Sequence, residues 1–205
     1  MNTIKNKRVY DTLQDLHKKA EADSILRKNQ KQSGDYERNK HTAYLAVDRA
    51  EGEFMNFLAT LTGAKQIVEF GCSFGISTIY LAAAAKDNGG RVITTDLEPI
   101  KVTGAKHNLE LAGLADVVEI LQGDALQTLA TVEGDVDFLF LDGAKDLYIP
   151  VFQLMRGQLK KGAIVFADNA DKPEVQPFVN YIRQASTEFT SVMLFEGRAF
   201  VAHVL

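Results

Sequence analysis

The 205-residue chain contains one cysteine, Cys72, and no tryptophan. A single thiol excludes an internal disulfide and any zinc centre built on several thiolates. No apolar run approaches the roughly 20 residues that a bilayer-spanning helix requires. The opening stretch MNTIKNKRVYDTLQDL lacks an uninterrupted apolar segment, so it does not read as a secretory signal, and the cytoplasm is the expected address. Basic charge is scarce outside one region. Residues 1–40 carry ten Lys and Arg against six Asp and Glu, whereas the remainder carries thirteen against twenty-one. The cations of that arm are mixed with acids and have few aromatics between them. This argues for the solvated face of a surface helix and against a nucleic-acid-binding arm.

What is present is an ordinary soluble composition, 46% hydrophobic and 24% charged, in a length that suits one domain with a substantial core. The spacing predicts a polar helix over about 9–27, a polar break around Ser33-Gly34-Asp35, and a second helix over about 48–61. In that second helix Phe54, Phe57, Leu58 and Leu61 recur at i, i+3, i+4 and i+7, one apolar stripe. Strands and helices then alternate. QIVEF (66–70), RVITTD (91–96), VVEIL (117–121), VDFLFLD (136–142) and AIVFAD (163–168) read as strands, with helices over about 75–87, 99–112, 124–132 and 147–160. Such alternation predicts a parallel sheet wound on both faces. FTSVMLF (189–195), a turn at Glu196-Gly197-Arg198, and AFVAHVL (199–205) read as a closing antiparallel hairpin. The expectation is a single α/β domain over 1–205: a doubly wound, mostly parallel seven-stranded sheet, with 1–45 as an N-terminal helical cap.

Ligands of open α/β sheets lie beyond the carboxyl ends of the strands. The first such end, VEFGCSFGIST (68–78), has Gly71 and Gly75 in a Gly-x-x-x-Gly spacing with Glu69 ahead of it. Dinucleotide enzymes use Gly-x-Gly-x-x-Gly instead. An acid two residues before the turn suits a cationic ligand better than a pyrophosphate, and S-adenosylmethionine carries both a sulfonium and an ammonium. A plain strand-to-helix turn is the competing reading. Asp96, ending the second strand, is placed either to accept both ribose hydroxyls or simply to cap the helix opening near Pro99. At the third strand's end, the Asp124 side chain or the Ala125 amide would hold an adenine, while Asp124 is equally a good N-cap. Asp142 ends the fourth strand and Asp168-Asn169 the fifth. Neighbouring strands run roughly 4.8 Å apart, so pairing of these two would bring both carboxylates into one small volume. A hard divalent cation relieves such repulsion, and two carboxylates with a carboxamide oxygen are a partial shell for octahedral Mg²⁺. Taken singly, each Asp reads as a helix cap.

Together, Glu69-x-Gly71-x-x-x-Gly75, Asp96, Gly123-Asp124-Ala125, Leu141-Asp142-x-x-Lys145-Asp146-x-Tyr148 and Ala167-Asp168-Asn169 resemble the cation-dependent S-adenosylmethionine O-methyltransferases, the family of catechol and caffeoyl-CoA O-methyltransferases. Val47-Asp48-Arg49-Ala50-Glu51-Gly52-Glu53-Phe54 is similar to that family's Asp-Glu-Gly-Gln-Phe-Leu segment, and the resemblance runs from about residue 42 to the C-terminus. It implies the class I, Rossmann-like methyltransferase fold. It implies cofactor contacts from Val47, Glu69, Gly71, Ser73, Ser77, Asp96, Asp124, Ala125 and Asp142, metal ligation by Asp142, Asp168 and Asn169, and Lys145 as catalytic base. The implied reaction is methyl transfer to a hydroxyl of a small catechol-like acceptor with Mg²⁺ or another divalent cation, in a homodimer with no nucleic-acid or membrane partner.

The chain also departs from that pattern. Ala170–Glu174 lacks the tryptophan of the plant enzymes, and the acid with which catechol enzymes grip their substrate has no counterpart, Glu196 being a poor candidate. A metal-independent methyltransferase would keep the glycine loop and Asp96 and leave Asp142 and Asp168 as caps. An amino-group methyltransferase of nucleic acid would carry an Asn/Asp-Pro-Pro-aromatic tetrad where Asp142-Gly143-Ala144-Lys145 stands. An NAD-linked protein is disfavoured by the glycine spacing. His17, His41, His107 and His203 lie on separate elements without ligand spacing, and Cys72 needs no chemical role.

Overall fold

The computed structural model describes residues 2–33 and 40–205; the break expected around Gly34-Asp35 lies outside the described residues. All seven expected strands join one sheet: β1 Gln66–Phe70, β2 Arg91–Asp96, β3 Val118–Gln122, β4 Val136–Leu141, β5 Leu159–Ala167, β6 Phe189–Leu194 and β7 Ala199–Val204. Their order is β3-β2-β1-β4-β5-β7-β6. The first five are parallel, and β7 inserts antiparallel between β5 and β6. The chain winds outward from β1 to β3, then returns to β4 on the other side of β1. The carboxyl ends of β1 and β4 therefore flank the crevice where such sheets bind ligands.

The helices are α1 Lys7–Ser33, α2 Arg49–Leu61, α3 Ile76–Asp87, α4 Pro99–Ala112, α5 Ala125–Thr128, α6 Tyr148–Met155 and α7 Gln176–Gln184. Every residue of β4 is buried, and its period of two divides the core. Phe138 and Phe140 face one side with Ile67 and Phe166, under α1 to α4; Leu139 and Leu141 face the other with Val68 and Val165, under α5 to α7. A strand covered on both faces has no polar side to show, which is why it reads as a continuous apolar run. On the N-terminal cap, Val9, Leu13, Leu16 and Ala20 of α1 are buried. Arg8 donates to the Glu110 and Leu111 carbonyls at the end of α4, where a cation meets the negative end of the helix. Among the described residues, no helix is long and apolar enough to cross a membrane.

Three expectations are corrected. First, α2 buries Glu51, Gly52, Met55 and Ala59, while Phe57 and Leu61 of the expected stripe stay 56% and 68% exposed. Close approach to α3 decides this: a Cβ on Gly52 would lie 2.3 Å from the Tyr80 ring. Asn56 Nδ2 donates to the Tyr80 carbonyl at 2.9 Å, and Asn88 Nδ2 to the Ala59 carbonyl at 3.0 Å. Small residues and two half-buried amides outweigh the larger apolar face. Second, the helix expected over 147–160 stops at Met155, and β5 starts at Leu159. Val136 pairs with Leu159 and Phe138 with Ile164, so an irregularity in β5 absorbs the extra residues. Third, α7 was not expected. Pro177 lies in its first turn, where a missing N–H costs nothing, and it buries Phe178, Val179 and Ile182.

Candidate active site

The loop after β1 is built on glycine. Gly71 has φ +95, and a Cβ there would stand 2.9 Å from the Asp142 carbonyl and the Gly143 backbone. The β1 and β4 ends are thus in backbone contact, which only a residue without a side chain permits. Gly75, φ +86, opens α3 as its N-cap. Ser73 is also left-handed, φ 46, and its N–H donates to Asp96 Oδ2 at 2.8 Å. Asp96 Oδ1 accepts from the Glu98 N–H at 3.0 Å, and the N-cap of α4 is Glu98. Asp96 is therefore not the helix cap; it ties β2 to the glycine loop and keeps lone pairs for further donors.

Beneath this loop Glu69 is fully buried, and Thr78 Oγ1 donates to its Oε2 at 2.5 Å. Burial pushes the Glu69 carboxyl above its ordinary range, countered by the hydroxyls of Ser77, Thr78 and Thr94. Ser73 Oγ and one oxygen of Glu69, Oε1, are buried without a close partner, unspent hydrogen-bonding capacity at the crevice. Asp124 caps α5 by accepting from the Leu126 N–H at 2.9 Å, so its capping reading holds. Ala125 and Val47 are buried nearby in sequence terms to the β3 end and the start of α2. Cys72 is buried, and burial raises its thiol well above the usual value.

At the other end of the crevice, Leu141 pairs with Ala167, and the Asp168 N–H donates to the Leu141 carbonyl at 3.0 Å. Asp142 and Asp168 therefore leave neighbouring strands side by side. Burial pushes Asp142 up to about 7; Lys145 opposes this, and the charge of Asp168 adds to it. Burial also raises Asp168. Asn169 is left-handed, φ 56, which turns the chain as its N–H donates to Asp168 Oδ1 at 2.6 Å. Lys145 Nζ donates to Asp142 Oδ1 at 2.9 Å and to Tyr148 Oη at 3.0 Å. Two carboxylates and a carboxamide are hard oxygen donors suited to a divalent cation. Among the described residues, no three His, Cys, Asp or Glu side chains are arranged to hold a metal ion.

Two charged residues here were not expected. Glu51, in the first turn of α2, is fully buried. Burial and the charge of Asp168 push it up to about 8, against the pull of Arg198. Arg198 Nη2 donates to Glu51 Oε2 at 2.6 Å and also to Asp48, and Arg198 Nε lies 3.7 Å from Asp168 Oδ1. Phe195 and Glu196, both at positive φ, form the strained turn that delivers Arg198. The available signal was Asp48-x-x-Glu51, a capping spacing at the head of α2, and it gives no sign of a partner near the C-terminus. The histidines are indeed dispersed: His17 bonds Tyr80 Oη at 3.0 Å and His41 bonds Glu98 Oε1 at 2.5 Å.

A family profile described as O-methyltransferase matches residues 17–173. Catechol O-methyltransferase of Mycobacterium tuberculosis is 36% identical over 126 residues, 61% of this chain and 57% of that protein. Caffeoyl-CoA O-methyltransferase 2 of Eucalyptus globulus is 29% identical over 176 residues, 78% of this chain and 70% of that protein. The chain spans little more than half the length of the catechol O-methyltransferases that it matches. Among solved structures, the O-methyltransferase TomG from Streptomyces achromogenes in complex with S-adenosylmethionine has TM-score 0.69 at 28% identity, covering 78% of this chain and 82% of its own. An O-methyltransferase from Bacillus cereus in complex with S-adenosylhomocysteine has TM-score 0.72 at 24% identity, covering 95% and 90%, a likeness of fold.

Proposed function

Since the chain belongs to the O-methyltransferase family, we propose that it transfers a methyl group from S-adenosylmethionine to a hydroxyl of a small catechol-like acceptor, assisted by a divalent cation. One observation carries the reading: Asp142 and Asp168 emerge side by side from paired strands, with the Lys145 amine 2.9 Å from Asp142. The cofactor lies along the β1 to β3 ends. Asp96 takes the ribose diol, Asp124 and the Ala125 amide take the adenine, and Val47, Glu69, Gly71, Ser73, Ser77 and Asp142 line the methionine end. The unpartnered buried oxygens of Glu69 and Ser73 suit a ligand that brings its own donors and acceptors.

Asp142, Asp168 and Asn169 would hold the cation, whose fit rests on two carboxylates that burial pushes above their ordinary range, Asp142 further by the charge of Asp168. Such an ion supplies Lewis acidity, lowering the pKa of the acceptor hydroxyl. Lys145 Nζ takes the hydroxyl proton. The acceptor oxygen then attacks the methyl carbon in line with the departing sulfur, the carbon–sulfur bond breaks, and S-adenosylhomocysteine is left as a neutral thioether. By the same resemblance we read 1–205 as one methyltransferase domain capped by 1–45, in a cytoplasmic homodimer without nucleic-acid or membrane partners.

A second reading, a metal-independent methyltransferase, is favoured by the way Lys145 and Arg198 already pair with Asp142, Glu51 and Asp168. One experiment separates the two. Labelled cofactor is incubated with a panel of catechols and caffeoyl esters in EDTA, then with Mg²⁺ added back. Turnover that vanishes in chelator and returns with Mg²⁺ supports the cation-assisted reading; full turnover in chelator replaces it with the second.

A further inference from the structure

We infer that Tyr148 is the positioning residue of this reaction, the group that aims the Lys145 amine at the acceptor. The inference rests on the role proposed for Lys145. Tyr148 Oη donates to the Asp168 carbonyl at 3.1 Å. A phenol has one hydrogen, so toward Lys145 Nζ, at 3.0 Å, it can only accept. Lys145 spends a second N–H on Asp142 Oδ1 at 2.9 Å. An amine acting as a base has two N–H bonds and one lone pair. Tyr148 and Asp142 take both hydrogens, so the lone pair is left for the acceptor's proton, in a tetrahedral direction set by the two anchors.

The anchor itself is rigid. Tyr148 is 1% exposed, and its ring meets Phe70 and Phe178 edge-on, with centroids at 6.4 Å and 6.1 Å. Lys145–Leu147 is a 3₁₀ turn that runs straight into α6 at Tyr148, and residues three apart eclipse in that geometry. The turn therefore stacks the amine over the ring, with Nζ 5.2 Å from its centroid. A lysine with four rotatable bonds otherwise samples many rotamers. The link from Tyr148 Oη to the Asp168 backbone also registers the amine against β5, so the base and the strand end that carries Asp168 share one frame. A purely structural tyrosine would do no more than satisfy the Asp168 carbonyl inside the core.

These roles are told apart by a double-mutant cycle on the full chain with S-adenosylmethionine, Mg²⁺ and whichever catechol the panel finds best. Tyr148→Phe keeps the ring and removes the hydroxyl. Its kcat should fall by about 10–100-fold, the scale of a displaced reacting group, with KM and S-adenosylhomocysteine affinity within about twofold of wild type. In a Lys145→Ala background the same substitution should change kcat by less than about twofold, because a group that acts through Lys145 has nothing left to aim. Equal losses in both backgrounds, or a Tyr148→Phe enzyme with wild-type kcat, overturn the inference. Should Lys145→Ala itself match wild type, the role of Lys145 fails, and this inference with it. The absence of turnover with every acceptor in the panel would instead count against the proposed function. A measurement on the wild-type protein needs neither variant nor turnover: NMR relaxation of the Lys145 side-chain methylenes should show a rigid chain. Motion as free as that of the exposed Lys106 overturns the positioning role.

Discussion

Asp96 is asked to do two things with one carboxylate. It already accepts the Ser73 and Glu98 amides, and in the proposed complex its remaining lone pairs take the ribose hydroxyls. Asp96→Ala is therefore expected to weaken S-adenosylhomocysteine at least about tenfold, roughly 1.4 kcal/mol, through lost ribose contacts and a loosened glycine loop together. Calorimetry showing unchanged affinity would remove Asp96 from the site. Lys145 is simpler, being partly exposed and joined to two neighbours. Lys145→Ala should fold and bind cofactor like wild type while kcat falls by about 10²–10⁴, the usual scale for losing a general base. Single-turnover rates within twofold of wild type would end that assignment.

Among the elements, α2 shows how packing overrides pattern. Met55 is fully buried against α3, and Phe57 of the expected stripe is largely in solvent. Met55→Ala should cost about 2–5 kcal/mol in urea unfolding, and Phe57→Ala no more than about 0.5 kcal/mol; the reverse order would mean that α2 packs on its other face. The contact of α1 with α3 carries a pH dependence. Burial and the charge of Arg49 hold His17 below its ordinary value, Asp48 opposes them, and Tyr80 Oη is its hydrogen-bond partner. With a depressed folded value, the native state binds fewer protons than the unfolded chain in mild acid. Its contribution is present above the ordinary histidine pKa and is lost as pH falls through the lower, folded one. The stability of wild type relative to His17→Gln should therefore decline as pH drops from neutral into that window. A difference that stays flat with pH would show that His17 does not titrate on unfolding.

For the whole molecule, a ligand that binds only the folded chain must stabilise it, by about 2.7 kcal/mol at a hundredfold excess over Kd. S-adenosylhomocysteine should raise Tm under the proposed function and NADH should not, since Gly71-x-x-x-Gly75 departs from the Gly-x-Gly-x-x-Gly of dinucleotide enzymes. A shift with NADH alone would return the protein to the dinucleotide binders. The alternation of strand and helix, the closing hairpin and the strand-end acids were all legible in the chain. So was the glycine loop, because the close approach at Gly71 leaves a trace in residue type. The buried pair of Glu51 and Arg198 left no such trace: its members lie 147 positions apart, and nothing in either neighbourhood marks them as partners.

Periodicity is local, and local pattern sufficed for the sheet. A run such as Phe138-Leu139-Phe140-Leu141, short and rich in large residues, fits a strand covered on both faces, and every residue of β4 is buried. Placing Asp142 and Asp168 at the ends of such runs followed from the sequence as well. What the chain alone left open were choices between competing packings. Which face of α2 goes inward depended on the fit of Gly52 against Tyr80. Where β5 begins depended on its irregular pairing with β4. How the acids are neutralised depended on a strained turn that brings Arg198 back over α2. These outcomes are set by the sum of many contacts between residues distant in sequence, and only the tertiary structure performs that sum.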